Sequence, residues 1–167
     1  PDVSLNAVAN LGYAEGRFLA PVYAGDTLNA VSEVLGVKQN SNGKTGVVTV
    51  RTTGFNQDEI PVLSYVRWVM VNKRDASAEV IDAPPKTPAA SVPTPDLVLP
   101  QGVDFSAYDF GLAGSPHAFQ DYEVGEKIDH VDGMTVEEAE HQLATRLYQN
   151  TAKVHFDALA QKESRFG

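Results

Sequence analysis

The sequence predicts an α+β fold built on a long antiparallel sheet with a covering helix. Three observations lead there. Four consecutive stretches between residues 5 and 73 have strand composition and are separated by turn residues. A single amphipathic helical pattern follows, and only after residue 134. Between the two, residues 82–100 hold six of the ten prolines.

Residues 5–23 alternate imperfectly and carry Gly12, Gly16 and Pro21, which predicts a strand with a bend or bulge ending at the turn Ala24-Gly25-Asp26. A second strand is expected over residues 27–38, through Leu28, Ala30, Val31, Val34 and Val37. Asn40-Ser41-Asn42-Gly43 is a hairpin signal, because Asn and Gly tolerate positive φ. Residues 44–54 (KTGVVTVRTTG) supply the partner strand, Asn56-Gln57-Asp58 the next turn, and residues 62–73 the fourth strand. Strands of this size, each roughly 30 Å long at about 3.3 Å per residue, read as one antiparallel meander. Its apolar face needs a cover, yet residues 1–80 contain no amphipathic helix. The expectation is a piece of a longer protein, also suggested by Pro1 at the start and Arg165-Phe166-Gly167 at the end.

The prolines at 84, 85, 88, 93, 95 and 100 sit among Ala, Ser and Thr and predict an extended spacer. A proline-rich recognition ligand is the alternative, weakened by the lack of flanking basic residues. Phe105, Tyr108 and Phe110 suggest an arm over residues 102–116 that packs aromatic rings on a neighbour. Residues 119–132 read as a strand interrupted by Gly125. Thr135-Val136-Glu137-Glu138 reads as a capping box opening a helix whose apolar face, Val136, Ala139, Leu143 and Leu147, would pack on a sheet. His141 lies four residues after Glu137, a spacing that permits a metal, but two ligands without a third do not make a site, and none is expected.

Composition narrows the function. With 43% hydrophobic residues in 167, the chain has enough apolar material for a substantial core. No apolar run reaches the length of a membrane span and no charged segment precedes an apolar leader, so no membrane partner is expected. The absence of Cys removes disulfide and thiolate chemistry and makes the cytoplasm the default compartment. A formal net charge of −9 argues against a nucleic-acid groove, which needs clustered cations. Lys153, Lys162 and Arg165 either converge on an anionic ligand or form a solvated helix face.

Chemistry concentrates in RLYQNTAKVHFD, residues 146–157. His155 sits between Val154 and Phe156 with Asp157 close behind. An imidazole titrates near neutral pH and serves as general acid or base, although a hydrogen-bonded core histidine fits the same pattern. Asn150 precedes it by five positions. On one helix the two side chains would point about 140° apart, so they converge only if a turn intervenes. Asn150-Thr151 supplies such a break, with a second short helix expected over residues 152–162.

Two strings carry a family resemblance. GRFLAPVYAGDTL, residues 16–28, resembles the R-F-x-x-P-V-x-x-G-D-T-L segment of hot-dog-fold acyl-CoA dehydratases of the MaoC type, through Arg17, Phe18, Pro21, Val22, Gly25, Asp26, Thr27 and Leu28. Residues 149–167 resemble that family's active-site pattern, G-D-x-N-P-[LIV]-H-x-D with a later F-G, through Val154, His155, Asp157, Phe166 and Gly167. Gln149 and Asn150 stand where the family has Gly and Asp, and Ala152-Lys153 where it has Asn-Pro. The run GMTVEEAEHQLATRLYQNTAKVHFD, residues 133–157, is similar to the mesaconyl-CoA hydratase group, also called β-methylmalyl-CoA dehydratases, within the tandem members.

The resemblance implies a double hot dog, with residues 1–80 as the back half of a first repeat, 81–116 as the linker and aromatic arm, and 117–167 as the front half of a second. It implies a hydro-lyase adding water reversibly to an α,β-unsaturated acyl-CoA such as mesaconyl-CoA. His155 would be the acid or base; either a further acid comes from elsewhere, with Asp157 one candidate, or His155 acts alone with Asn150 as a positioner of water or imidazole. Substrate-binding residues are not assigned. No cofactor is implied beyond the coenzyme A of the substrate, and a homo-oligomer or other segments of the same protein would cover the sheet. The resemblance also implies that the oxyanion-binding amide lies on a central helix outside these residues, which would leave them inactive by themselves. Two alternatives remain: a non-catalytic acyl-CoA-binding repeat, and a hot-dog thioesterase.

Overall fold

In a computed structural model that describes residues 6–97, 102, 104–114 and 117–162, the β-rich stretches fold into a single four-stranded antiparallel sheet. Its strands are β1 (Ala7–Phe18), β2 (Asn29–Gln39), β3 (Thr45–Phe55) and β4 (Pro61–Asn72). Arg165, Phe166, Gly167, Pro100 and Pro116 lie outside the described residues.

Asn-rich turns set the hairpin registers. Asn42 Oδ1 accepts from the amides of Lys44 at 2.9 Å and Thr45 at 3.1 Å, while Gly43 takes the left-handed φ of 66° that a Cβ would oppose. Asn56 Oδ1 likewise accepts from the Asp58 and Ile60 amides, each at 3.0 Å. These turns hold β2, β3 and β4 in the expected meander, with Val37 opposite Val48 and Val48 opposite Val69.

The meander does not extend to β1. The strand order is β1-β4-β3-β2, so β1 pairs with β4 rather than with its sequence neighbour. A tight hairpin needs only a few residues, whereas residues 19–28 form a longer connection that crosses the ends of β4 and β3. The crossing is tied down at both ends. The Leu19 amide donates to the Val62 carbonyl at 2.9 Å, and Gln57 of the β3–β4 turn accepts from the Thr27 amide while donating to Asp26 Oδ1, both at 3.0 Å. Three register shifts in β1, beside Ala7, Asn10 and Ala14, are the expected irregularity of this strand.

The core lies under the two central strands. Val50, Val62, Val66 and Val69 are buried, and the buried Thr52 hydroxyl meets Ser32 Oγ at 2.9 Å. Leu11, Phe18, Val31 and Val34, on the outer strands, are exposed.

The proline-rich stretch is more than a spacer. Ala83 exchanges two backbone hydrogen bonds with Val37, at 3.0 and 2.9 Å, and Asp82 Oδ1 accepts from the Gln39 amide at 2.7 Å. This extends the outer edge of β2 by a short rung. Gly36 makes the approach possible, since a Cβ there would lie 2.4 Å from the Pro85 ring. Farther along, the Asp96 carbonyl accepts from Arg17 at 3.1 Å, so the segment reaches from one outer strand to the other.

The second half departs further from expectation. Phe105, Tyr108 and Phe110 of the arm are exposed, and Tyr108 meets Phe110 edge-on with the ring centroids 5.0 Å apart. Residues 119–132 form a short 3-10 turn, Phe119–Asp121, and then unpaired chain rather than a strand. An isolated strand leaves its backbone groups without partners; no partner strand adjoins this stretch among the described residues, and Gly125 turns the chain at φ 90°. Helix α1 spans Glu138–Leu147 with Glu137 as its N-cap and no side-chain capping bond, so the capping box at Thr135 is not formed and Val136 precedes the helix. Leu143 and Leu147 are exposed and Thr145 is the buried helical residue, so the apolar face of α1 does not cover the sheet within these residues. The helix expected over residues 152–162 is divided into a 3-10 turn, Lys153–His155, and α2, Ala158–Lys162, by Phe156 at φ −150°.

Candidate active site

The end of α1 redirects the chain. Gln149 adopts a positive φ of 51°, its amide donates to the Arg146 carbonyl at 3.1 Å, and the Asn150 amide donates to the Thr145 carbonyl at 2.9 Å. This pair of bonds around a left-handed residue is a Schellman C-cap, formed here without glycine. Asn150 then turns the chain again by accepting the Ala152 amide on its own Oδ1 at 3.0 Å. The break expected at Asn150-Thr151 is therefore present, and it places the 3-10 turn carrying His155 back against α1.

The two predicted site residues are brought together. Asn150 and His155 line one cavity of about 280 Å³, with Tyr13 and neighbouring β1 residues and with Arg67 and Val69 of β4 forming its other wall. The sheet thus supplies a wall to a site whose polar groups come from the loop after α1. His155 also lines a second cavity of about 490 Å³, shared with Glu138, His141, Gln142 and Gln161. His155 is partly shielded, while Asn150 is exposed.

Asp157 has a structural task. Its Oδ1 accepts from the Leu159 and Ala160 amides at 3.1 and 3.0 Å, which caps the first turn of α2. Lys153 and Lys162 are both exposed, and Arg165 lies outside the described residues. Among the described residues no group of three metal-ligating side chains occurs.

A residue that sequence spacing did not single out for the site is His141 in this role. Its Nε2 lies 3.1 Å from His155 Nδ1, with the ring centroids 5.2 Å apart. Their separation of 14 positions conceals the contact, because the reversal at Gln149 has no glycine to announce it. Tyr13 and Arg67 were equally hidden, since their approach depends on the placement of β1 beside β4.

No protein-family model matches the chain. Individual relatives do. The chain is 64% identical over 165 residues, 99% of its length, to the mesaconyl-CoA hydratase of Cereibacter sphaeroides, of which it covers 48%. It is 57% identical over 167 residues to the beta-methylmalyl-CoA dehydratase of Chloroflexus aurantiacus, of which it covers 47%. A crystal structure of a MaoC domain protein dehydratase from Chloroflexus aurantiacus superposes with a TM-score of 0.87 at 57% identity, over 99% of this chain and 47% of that one. A Mycobacterium tuberculosis protein with a double hot-dog fold gives a TM-score of 0.59 at 20% identity over 95% of this chain and 48% of that one, a likeness of fold alone. The chain spans about half the length of the curated relatives it matches. It is a homologue of that half, with the hot-dog type of α+β fold, and the resemblance to MaoC-type dehydratases carried by the two strings extends over its whole length.

Proposed function

We propose that this homologue of mesaconyl-CoA hydratase and β-methylmalyl-CoA dehydratase takes part in the reversible hydration of an α,β-unsaturated acyl-CoA, mesaconyl-CoA to β-methylmalyl-CoA. The observation that carries the reading is the shared cavity of Asn150 and His155 against β1 and β4, in a chain whose relatives bear those names. In the hydration direction His155 takes a proton from water as its oxygen bonds to the β carbon. The double-bond electrons move toward the thioester, giving an enolate, and the proton is returned to the α carbon. Asn150 cannot ionise, and it contributes by hydrogen bonding that holds water or imidazole in place.

In this reading residues 1–80 are the back half of one hot-dog repeat, 81–116 the linker and arm, and 117–167 the front half of the next. The ligand is an acyl-CoA thioester, and coenzyme A enters as part of it without a further cofactor. The exposed apolar side chains of β1 and β2 and the exposed stripe of α1 are covered by other segments of the protein or by a second copy. No described helix is long and apolar enough to cross a membrane, and the cytoplasm is the compartment that suits a coenzyme A substrate.

The test is the loss of the enoyl thioester absorbance on hydration of mesaconyl-CoA by the intact protein and its His155→Ala variant. We expect kcat to fall by about 10³-fold. Unchanged turnover sinks the catalytic role of His155. It would favour the second reading, a non-catalytic acyl-CoA-binding repeat, for which Asn150 at the position of a family carboxylate speaks.

A further inference from the structure

The bond between the two imidazoles places a partner other than Asn150 on His155 Nδ1. A neutral imidazole has one N–H and one lone pair, and what one nitrogen binds decides what the other offers. His155 Nδ1 is engaged by His141 Nε2 at 3.1 Å. His141 lines the larger cavity and not the smaller, whereas His155 lines both. Nε2 of His155 is therefore the nitrogen left for the smaller cavity, where Asn150 and the sheet form the walls.

We propose that His141 is the positioning residue of this site, holding Nδ1 of His155 so that its Nε2 faces the cavity shared with Asn150. The proposal rests on the reading of His155 as the acid and base of the reaction. The backbone that carries these groups is tied through one residue: the buried Thr145 hydroxyl donates to the His141 carbonyl at 2.9 Å, and the Thr145 carbonyl accepts from the Asn150 amide. One residue thus ties the positioner to the turn that carries Asn150. Two imidazoles joined in this way keep their bond with both rings neutral or with one charged. A second proton would set N–H against N–H. The other ionisable groups facing the pair are Glu138 and Asp157 in the larger cavity and Tyr13 and Arg67 in the smaller.

The experiment compares His141→Phe, His141→Gln and His155→Ala in the intact protein, using mesaconyl-CoA turnover together with the imidazole nitrogen shifts of His155. Phe fills the space without a hydrogen bond, while the Gln amide restores one. We expect His141→Phe to lower kcat by about 10²-fold with KM held within about twofold, and Gln to recover about tenfold of the loss. The His155 nitrogen shifts should report one tautomer in the parent and in His141→Gln, and a mixture in His141→Phe. A parent-like kcat in His141→Phe beside an inactive His155→Ala overturns the positioning role alone. So does a slowed His141→Phe whose His155 tautomer is unchanged. An active His155→Ala overturns the functional reading and this proposal with it.

Discussion

The sheet and the histidine-bearing segment are stabilised by different means. In β1 to β4 the strands are joined along their lengths, and valines from the central pair are buried. In residues 138–162 order comes from local hydrogen bonds, including the cap at Gln149, the Asn150 turn, the Asp157 cap and the His141–His155 bond, with Thr145 as the buried residue. The groups proposed to handle protons and water are thus placed on the less buried of these two parts, against a wall of the other. Precise geometry at a site requires neighbours that restrict its side chains, and here the sheet wall and Thr145 are those neighbours.

The contrast can be broken most sharply by charge. Val66→Asp puts a carboxylate into the core between the central strands and should cost about 4 kcal/mol or more, while Glu140→Gln, which removes a charge from the exposed polar face of α1, should stay within about 0.5 kcal/mol. Urea unfolding followed through Trp68, the single tryptophan, reads both. Equal costs would mean that the polar face of α1 is also packed in solution.

A smaller effect is expected where the proline-rich stretch joins the sheet. Gly36→Val drives a side chain into Pro85 and the Ala83 backbone, an overpacking worth about 1–3 kcal/mol locally. Hydrogen exchange at the Ala83 amide, now bonded to Val37, should accelerate at least about tenfold. An unchanged rate would show that the extra rung is not held through Gly36.

Much of the sheet was legible because its signals are local. The Asn-rich turns and the runs of Val and Thr mark β2, β3 and β4 within a residue or two, as at residues 44–54 against the observed Thr45–Phe55, whereas the stretch expected over residues 5–23 ends as a strand at Phe18. The position of β1 was not legible, since a connection of intermediate length leaves its partner open; Gln57 and Val62, which fix the crossing, are distant in sequence. The strand expected over residues 119–132 has the right composition but no partner among the described residues. His155 and Asn150 were visible as residue types beside a helix break. The pairing of His155 with His141 was not, because it depends on a left-handed glutamine.

That glutamine offers a stabilising test. Gln149→Gly removes the Cβ opposed by φ 51° at the cap and should stabilise the end of α1 by about 0.5–1 kcal/mol. The Asn150 amide, which donates across this cap, should then exchange about threefold more slowly. Faster exchange would show that the Gln149 side chain makes a contribution greater than its backbone strain.

The smallest expected effect belongs to the crossing between β1 and β2. The Asp26 carboxyl is held below its ordinary value of 3.8, chiefly by the Tyr23 amide and then by the Gln57 side chain. A carboxylate whose pKa is lower folded than unfolded contributes its stability above the unfolded value and loses it as pH falls through the folded value. The contribution of Asp26 is therefore complete at neutral pH and fades only in acid, below the range where ordinary carboxylates protonate. Because Asp26 is open to solvent, the effect should be small and sensitive to salt. Gln57→Ala removes the second of the two donors, so the Asp26 side-chain carbon shift should titrate closer to 3.8 than in the parent, with the Tyr23 bond preventing a full return. A midpoint unmoved by Gln57→Ala would mean that the Asp26 carboxylate is held by its own Tyr23 turn alone, and that Gln57 grips the connection that sends β1 to the far edge only through the Thr27 amide.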